Sequence, residues 1–381
     1  MTPRNRILSY ALLLATSLTQ AGPAHAGPSY SLFDLGLLPN PGQYGYSFAY
    51  GVNTLGQAAG YASRAGSDDQ AILSGGVDGL RSLGSLPGFP ASYGFGINDA
   101  GQVVGKVLNF SNGTSRAFVH DGAAMVDLGS LPGDRSSAAY AITNFGLAAG
   151  SSIGTSEHAV TFSQGRVTDL GTLAGGGVSR ATGVNDLGQV VGFSGSASGQ
   201  RAFVYGPVTG MASLGVLPGG AYSMANGINA GGLVVGASGS SLGQRAFSFD
   251  GAMRDLGVLP DATGGSEAFG VNAAGDVVGV SYGTTGPNRA FLYSGGVLYD
   301  LSRLITSPGV LMTEARAVSD NGYIVGTAIL DGHSHAVALV PNVAAVPEPG
   351  SVALLAVGLL GLSGCYGWSR RSAAARAGSP V

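Results

Sequence analysis

Ser92-Tyr93-Gly94-Phe95-Gly96-Ile97-Asn98-Asp99-Ala100-Gly101-Gln102-Val103-Val104-Gly105 is the clearest copy of a segment that returns seven times along this chain. The period is about 44 residues, and regular self-similarity of that length defines an architecture before any single residue is weighed. Arg116-Ala117-Phe118 and then Asp127-Leu128-Gly129 follow the quoted copy, and both have counterparts in the other units. Function is therefore sought in a surface built by repetition before it is sought in one catalytic constellation.

Each unit reads as four short strands. The first ends in Ile/Val-Asn, at Val52-Asn53, Ile97-Asn98, Val184-Asn185, Ile228-Asn229 and Val271-Asn272, with Thr143 and Ser319 in the asparagine position of two units. Three residues on, a glycine stands in all seven (Gly56 and Gly101 are the first two). Asn-x-x-Gly between apolar segments predicts a hairpin turn, the glycine at positive φ and the asparagine side chain bonding its local backbone. The second strand is Gln-Val-Val-Gly or a relative. The third begins at Arg-Ala-Phe or a variant, and the fourth ends in Asp-Leu-Gly or Ser-Leu-Gly. Short strands rich in β-branched and aromatic residues, separated by turn dipeptides, predict antiparallel meanders.

Four strands at this period are the signature of a β-propeller blade. The two ends of the repeat array complement one another. Tyr30 to Gly36 is a lone fourth strand, and the last unit, Thr313 to Val340, has three strands and no fourth. The predicted fold is thus an all-β, seven-bladed propeller of four-stranded antiparallel blades, closed by the N-terminal strand, which removes the exposed edges of an open array. A β-solenoid is the alternative, but it does not require ends offset in this way.

Composition agrees with a packed domain. Of 381 residues 45% are hydrophobic and 10% charged, and the 67 glycines fall mostly at fixed places in the repeat. The N-terminus reads as a signal peptide over residues 1–26: Arg4 and Arg6, an apolar stretch from Ile7 to Leu18, then Ala24 and Ala26 at the −3 and −1 positions of a cleavage site. An N-terminal membrane anchor is the alternative. At the other end Pro347-Glu348-Pro349 precedes an apolar run over 351–368, long enough for a transmembrane helix. Arg370 and Arg371 follow, and residues 372–381 would form a cytoplasmic tail. Between these ends, residues 27–345 hold 13 basic and 20 acidic side chains, a formal net charge of −7. That balance argues against nucleic acid or an anionic membrane as the main partner, leaving membrane contact to the C-terminal helix before processing. The sole cysteine, Cys365, lies in the tail, so the repeat domain is expected to hold together by packing alone.

Over residues 346–371 the order of motif, span and basic cluster resembles the PEP-CTERM sorting signal, which implies processing by the membrane enzyme exosortase and export to the cell surface or extracellular matrix. Residues 30–340 resemble the HAF-repeat proteins of the bacterial exterior, although the His-Ala-Phe tripeptide is never intact here and appears as Arg-Ala-Phe, His-Ala-Val or, in the first unit, Gln-Ala-Ile. That resemblance implies an exported protein and carries no established activity.

Small residues alternate along the first strand (Ala49 and Gly51, Gly94 and Gly96), which places it innermost, where backbones crowd the axis. The opposite positions change from blade to blade and include Phe48/Tyr50, Tyr93/Phe95, Arg180/Thr182, Glu267/Phe269 and Glu314/Arg316. From these, Phe48, Tyr93, Arg180, Glu267, Glu314 and Arg316 form the candidate binding ring, with aromatic rings able to stack on sugars. No catalytic cluster, metal or cofactor is expected. Calcium needs several converging carboxylates where most turns hold at most one, and the recurrent serines repeat in every blade as structure does. The expected function is a non-enzymatic binding or structural module for exopolysaccharide or a surface protein in a biofilm matrix. The alternative is a polysaccharide hydrolase or lyase using Glu267 and Glu314.

Overall fold

A computed structural model describes residues 28–342, apart from 40–44, 65–66, 76–78, 261, 285 and 308. The signal peptide and the sorting segment lie outside the described residues. Among those described, no helix is long and apolar enough to cross a membrane.

The seven repeats fold into seven four-stranded antiparallel sheets. In blades 1 to 6 the strands pair in chain order, and their first strands are Ser47–Val52, Ala91–Ile97, Ser136–Ile142, Ser179–Val184, Ser223–Ile228 and Ser266–Val271. Blade 7 takes its first strand from Leu311–Val318 and its fourth from the N-terminus, where Tyr30–Gly36 pairs antiparallel with His333–Pro341. The first strands line the central channel, as the run of small residues requires. Among the described residues the sole helical element is a 3-10 turn, Leu301–Arg303, between blades 6 and 7.

Apolar layers between neighbouring blades hold the ring. The phenylalanine of each x-Ala-Phe, or its Ile/Val substitute, is buried: Phe118, Phe203, Phe247 and Phe291 are fully inaccessible. Burying each contributes about 2–3 kcal/mol. Around Phe291 the layer joins Leu256 and Leu259 of blade 5 to Val277 of blade 6. The turn glycines Gly56, Gly101, Gly146, Gly188, Gly232, Gly275 and Gly322 all have φ between 75° and 85°, a left-handed region that disfavours any Cβ. The glycine of the second strand answers to a different constraint. A Cβ at Gly60, Gly105 or any of their five counterparts would collide with a carbonyl oxygen of the innermost strand.

Two side chains of the first strand tie each blade to its neighbours. In six blades the first or second residue of the strand is a fully buried serine (Ser47, Ser92, Ser137, Ser179, Ser223 or Ser266). Its Oγ donates to the carbonyl of the preceding blade's Asp-Leu-Gly-type glycine at 2.5–2.7 Å. It also accepts from the backbone N–H of that blade's x-Ala-Phe alanine at 2.8–2.9 Å. At the other end of the strand, asparagine Oδ1 closes the local turn, as on Gln57 and Gln102 at 2.9 Å. The asparagine Nδ2 reaches the next blade: Asn53 donates to the Asn98 carbonyl at 3.1 Å and Asn98 to that of Thr143 at 3.0 Å. Thr143 and Ser319 keep the local bond through their hydroxyls, to Leu147 and Tyr323, but are too short to supply the second arm.

Blade 7 departs from the serine pattern. Counting back from Ser319 selects Thr313, but the strand carries an extra register shift between Met312 and Glu314. Met312, fully buried, stands in the serine position opposite Ala328. Its N–H is taken by Ser302 Oγ of the 3-10 turn at 3.0 Å, while Thr313 donates to Thr327.

Candidate functional site

All seven first strands shift register at the same place: Ala49/Gly51, Gly94/Gly96, Ala139/Ala141, Ala181/Gly183, Ala225/Gly227, Ala268/Gly270 and Ala315/Ala317. A β-bulge re-aims the unpaired residue. The seven bulged residues are Tyr50, Phe95, Tyr140, Thr182, Asn226, Phe269 and Arg316, and together with Glu267 they line a cavity of about 320 Å³ at one end of the channel. Deeper in, Val52, Ile97, Ile142, Val184, Ile228, Val271 and Val318 make an apolar collar. Beyond it the channel ends at the Asn turns and the carboxylates of Asp99, Asp186 and Asp320.

The mouth is asymmetric. Over blades 1 to 3, Tyr50, Phe95 and Tyr140 form a continuous arc with centroid separations of 5.7 and 5.3 Å. Tyr61 stacks on Tyr50 at 5.7 Å and meets Tyr93 edge-on at 4.9 Å, and Phe48 packs between Tyr46 and Tyr61. Arg316 continues the arc into blade 6, its guanidinium 4.1 Å from the Phe269 centroid and 5.1 Å from that of Tyr50. Arg180 lies over Tyr140 at 5.7 Å and over Phe193 at 5.3 Å. Across the channel the polar residues are committed to the scaffold: Thr182 Oγ1 donates to the Ala225 carbonyl and Asn226 Nδ2 to that of Ala268, both at 2.8 Å.

The charged groups are largely paired. Arg180 makes a bidentate contact with Glu157 at 2.7 and 2.9 Å. Glu267 accepts from the Tyr282 hydroxyl at 2.7 Å and from Asn226 at 2.9 Å. Glu314 accepts from Arg316 at 2.6 Å and from Thr327 at 3.2 Å. Burial, reinforced by neighbouring phenol and carboxylate groups, pushes the Tyr61 and Tyr93 hydroxyls well above the ordinary phenol range. Burial does the same to Tyr282, helped by Glu267. These phenols are neutral hydrogen-bonding groups at any physiological pH. Lys106, on the strand beside Tyr93, is shifted down by burial and by the charge of Arg180.

Of the six ring candidates chosen from sequence, Glu267 and Arg316 line the cavity. Phe48 and Tyr93 form the aromatic backing of the arc, Arg180 braces Tyr140, and Glu314 holds Arg316. Of the residues that line the mouth most directly, Tyr50 and Phe95 are the companions of Phe48 and Tyr93 two positions on, and Tyr140 stands two positions after Ala138. The bulge that aims them leaves no mark in an alternating pattern. The sorting residues Pro347, Glu348 and Pro349 and the cleavage residues Ala24 and Ala26 lie outside the described residues. Among the described residues no three His, Cys, Asp or Glu side chains gather as a metal site. His335 is instead engaged with Asp34 at 2.9 Å across the ring closure.

The PEP-CTERM protein-sorting motif matches residues 345–371. That motif implies processing by exosortase and export to the cell surface. No curated protein matches the chain at a significant level. Among solved structures, the β-propeller domain of the Trilobed protease from Pyrococcus furiosus is 9% identical with a TM-score of 0.39, covering 70% of this chain and 100% of that one. The Aleuria aurantia lectin, solved as a point mutant in complex with Fucalpha1-6GlcNAc, is 11% identical with a TM-score of 0.33, covering 81% and 99%. Trypanosoma rangeli sialidase is 9% identical with a TM-score of 0.35, covering 82% of this chain and 55% of that one. Likenesses at these scores carry no argument about what this chain binds. The chain is an exported seven-bladed propeller bearing a C-terminal PEP-CTERM sorting motif.

Proposed function

We propose that this propeller is a non-enzymatic binding module of the cell surface or extracellular matrix, and that it holds exopolysaccharide at the bulge-lined mouth. The observation that carries the reading is the continuous arc Tyr50–Phe95–Tyr140, extended by Arg316 on Phe269. Aromatic rings backed by a second aromatic layer suit the C–H faces of sugars, and little conformational entropy is lost on contact. The repeat's likeness to HAF-repeat proteins supports the same address. Delivery would run through cleavage after Ala26, transient anchoring by residues 351–368, and exosortase processing.

A second reading, glycan cleavage by Glu267 and Glu314, rests on their placement in adjacent blades, Glu267 lining the mouth and Glu314 held on Arg316. Against it, both carboxylates already accept two or more hydrogen bonds from protein donors. One experiment separates the two. The exported protein is mixed with exopolysaccharide from its source, and co-sedimentation and new reducing ends are followed together. Binding without new ends, weakened about tenfold or more by Tyr50→Ala with Phe95→Ala, supports the module. New ends that vanish in Glu267→Gln with Glu314→Gln would establish the enzyme. A surface protein as the partner is indicated if neither glycan signal appears and a cross-linked protein does.

A further inference from the structure

The chain contains 17 arginines and a single lysine, Lys106. It stands on the second strand of blade 2, opposite Tyr93 in register, with its ammonium 5.6 Å from the Tyr93 ring centroid. Among the described residues, the partly buried arginines all have polar partners. Arg116, Arg180, Arg245, Arg289 and Arg316 face carboxylates, and Arg201 donates to two backbone carbonyls. Lys106 is partly buried and has, among the described residues, neither an acid within salt-bridge distance nor a hydrogen-bond acceptor. The charge that acts on it is another cation, Arg180, which Glu157 already holds in a bidentate pair.

Asp68 and Asp69 of blade 1 act on the Tyr93 hydroxyl, and the small residues that would admit an anion lie on the other side, on blade 3. At the corresponding level of blade 3 stand Ala138 and Ser151, a small cross-strand pair. They are flanked by Tyr93–Lys106 on blade 2 and Arg180–Phe193 on blade 4. Removing an ammonium from water without a counter-charge is costly, and an anion supplied from outside recovers that cost. The Tyr93 ring beside it belongs to the aromatic layer behind the mouth, so a sugar on that layer would carry its substituents within reach of the ammonium.

We propose that Lys106 is the anchor for a carboxylate, the charged group of an acidic sugar held at the aromatic mouth. This inference rests on the glycan-binding reading and narrows it to glycans that contain uronic acid. An ammonium–carboxylate contact formed at a partly desolvated site contributes enough to change affinity about tenfold or more.

Having one lysine makes the site directly readable, because the chain offers an amine-selective acylating reagent only two amines, Lys106 and the α-amino group. The exported protein is acylated alone, with polygalacturonate, with dextran, and with free galacturonate, and peptide mass spectrometry follows the rate at Lys106. In parallel, affinity electrophoresis compares wild type, Lys106→Gln and Lys106→Arg in gels containing polygalacturonate or dextran. The expected result is protection of Lys106 by polygalacturonate and by galacturonate, not by dextran. Lys106→Gln should lose about tenfold in retention by polygalacturonate, and Lys106→Arg should keep most of it. Equal acylation rates under all conditions, or a Lys106→Gln protein retained as well as wild type, would overturn the proposal. If exopolysaccharide still binds in that case, the glycan reading stands without this site. If galacturonate protects Lys106 while no polymer is retained, the carboxylate site stands and the glycan reading falls.

Discussion

Ser47→Ala tests ring closure at one atom. Ser47 is fully buried and its Oγ touches both partners of the closing sheet, the Gly36 carbonyl at 2.7 Å and the Ala336 N–H at 2.8 Å. Alanine fills almost the same volume, so packing changes little, but a buried N–H and a partly buried carbonyl lose their partner. An unsatisfied buried polar group costs about 1–3 kcal/mol, and the carbonyl, nearer solvent, belongs at the low end, giving about 2–4 kcal/mol in total. With an unfolding entropy of about 2 cal/mol/K per residue, a loss of about 3 kcal/mol in a domain of this size lowers Tm by about 4–5 °C. Calorimetry measures that shift. Hydrogen exchange locates it, because amides of Tyr30–Gly36 should exchange faster in Ser47→Ala and not in Ser223→Ala, which removes the same bonds between blades 4 and 5. A Tm within about 1 °C of wild type, or equal exchange of Tyr30–Gly36 in both variants, would refute the clasp.

Gly105→Ala should abolish folding or cost more than about 3 kcal/mol, because the new Cβ meets the fixed Tyr93 carbonyl as well as the buried Phe118 ring; circular dichroism of the purified protein reads it. Asn98→Ala should cost about 1–3 kcal/mol, since it removes the tie to the Thr143 carbonyl and the turn bond to Gln102; urea denaturation checks it. Burial, with a contribution from Asp276, raises Tyr30 from 10.0 to about 12, so its neutral form is favoured by folding. That stability is fully present below about pH 10 and is lost as pH rises through about 12. Tyr30→Phe should therefore flatten the fall in Tm across this alkaline range.

The architecture was legible because its causes are local and repeated. Hairpin turns, strand lengths and the offset ends can all be read from residues a few positions apart, and seven copies average away the exceptions. The ties between blades were not legible. A serine at the start of a strand reads the same whether it faces water or bridges Gly36 and Ala336, and only the closed ring brings a partner 289 residues away to its Oγ. Likewise, alternation assigned Phe48 and Tyr50 to one face, and it has no place for the bulge that sends Tyr50 into the channel. Thr313 shows the limit of counting: one extra residue in the strand moved Met312 into the serine position. Lys106 is invisible to periodic reading, which looks for what recurs, because this residue occurs once.

The division of labour along the first strand has an evolutionary consequence. The serine that grips the blade before and the asparagine that grips the blade after lie at the two ends of a short stretch, with the bulged residue between them. In five of the seven units a gene segment therefore carries its own couplings in both directions and, separately, one contact at the mouth that differs from unit to unit. Duplication or recombination of whole units would preserve assembly while reshuffling the order of Tyr, Phe, Thr, Asn and Arg around the opening. Selection can then act on ligand preference one position per unit, largely uncoupled from selection for a ring that closes.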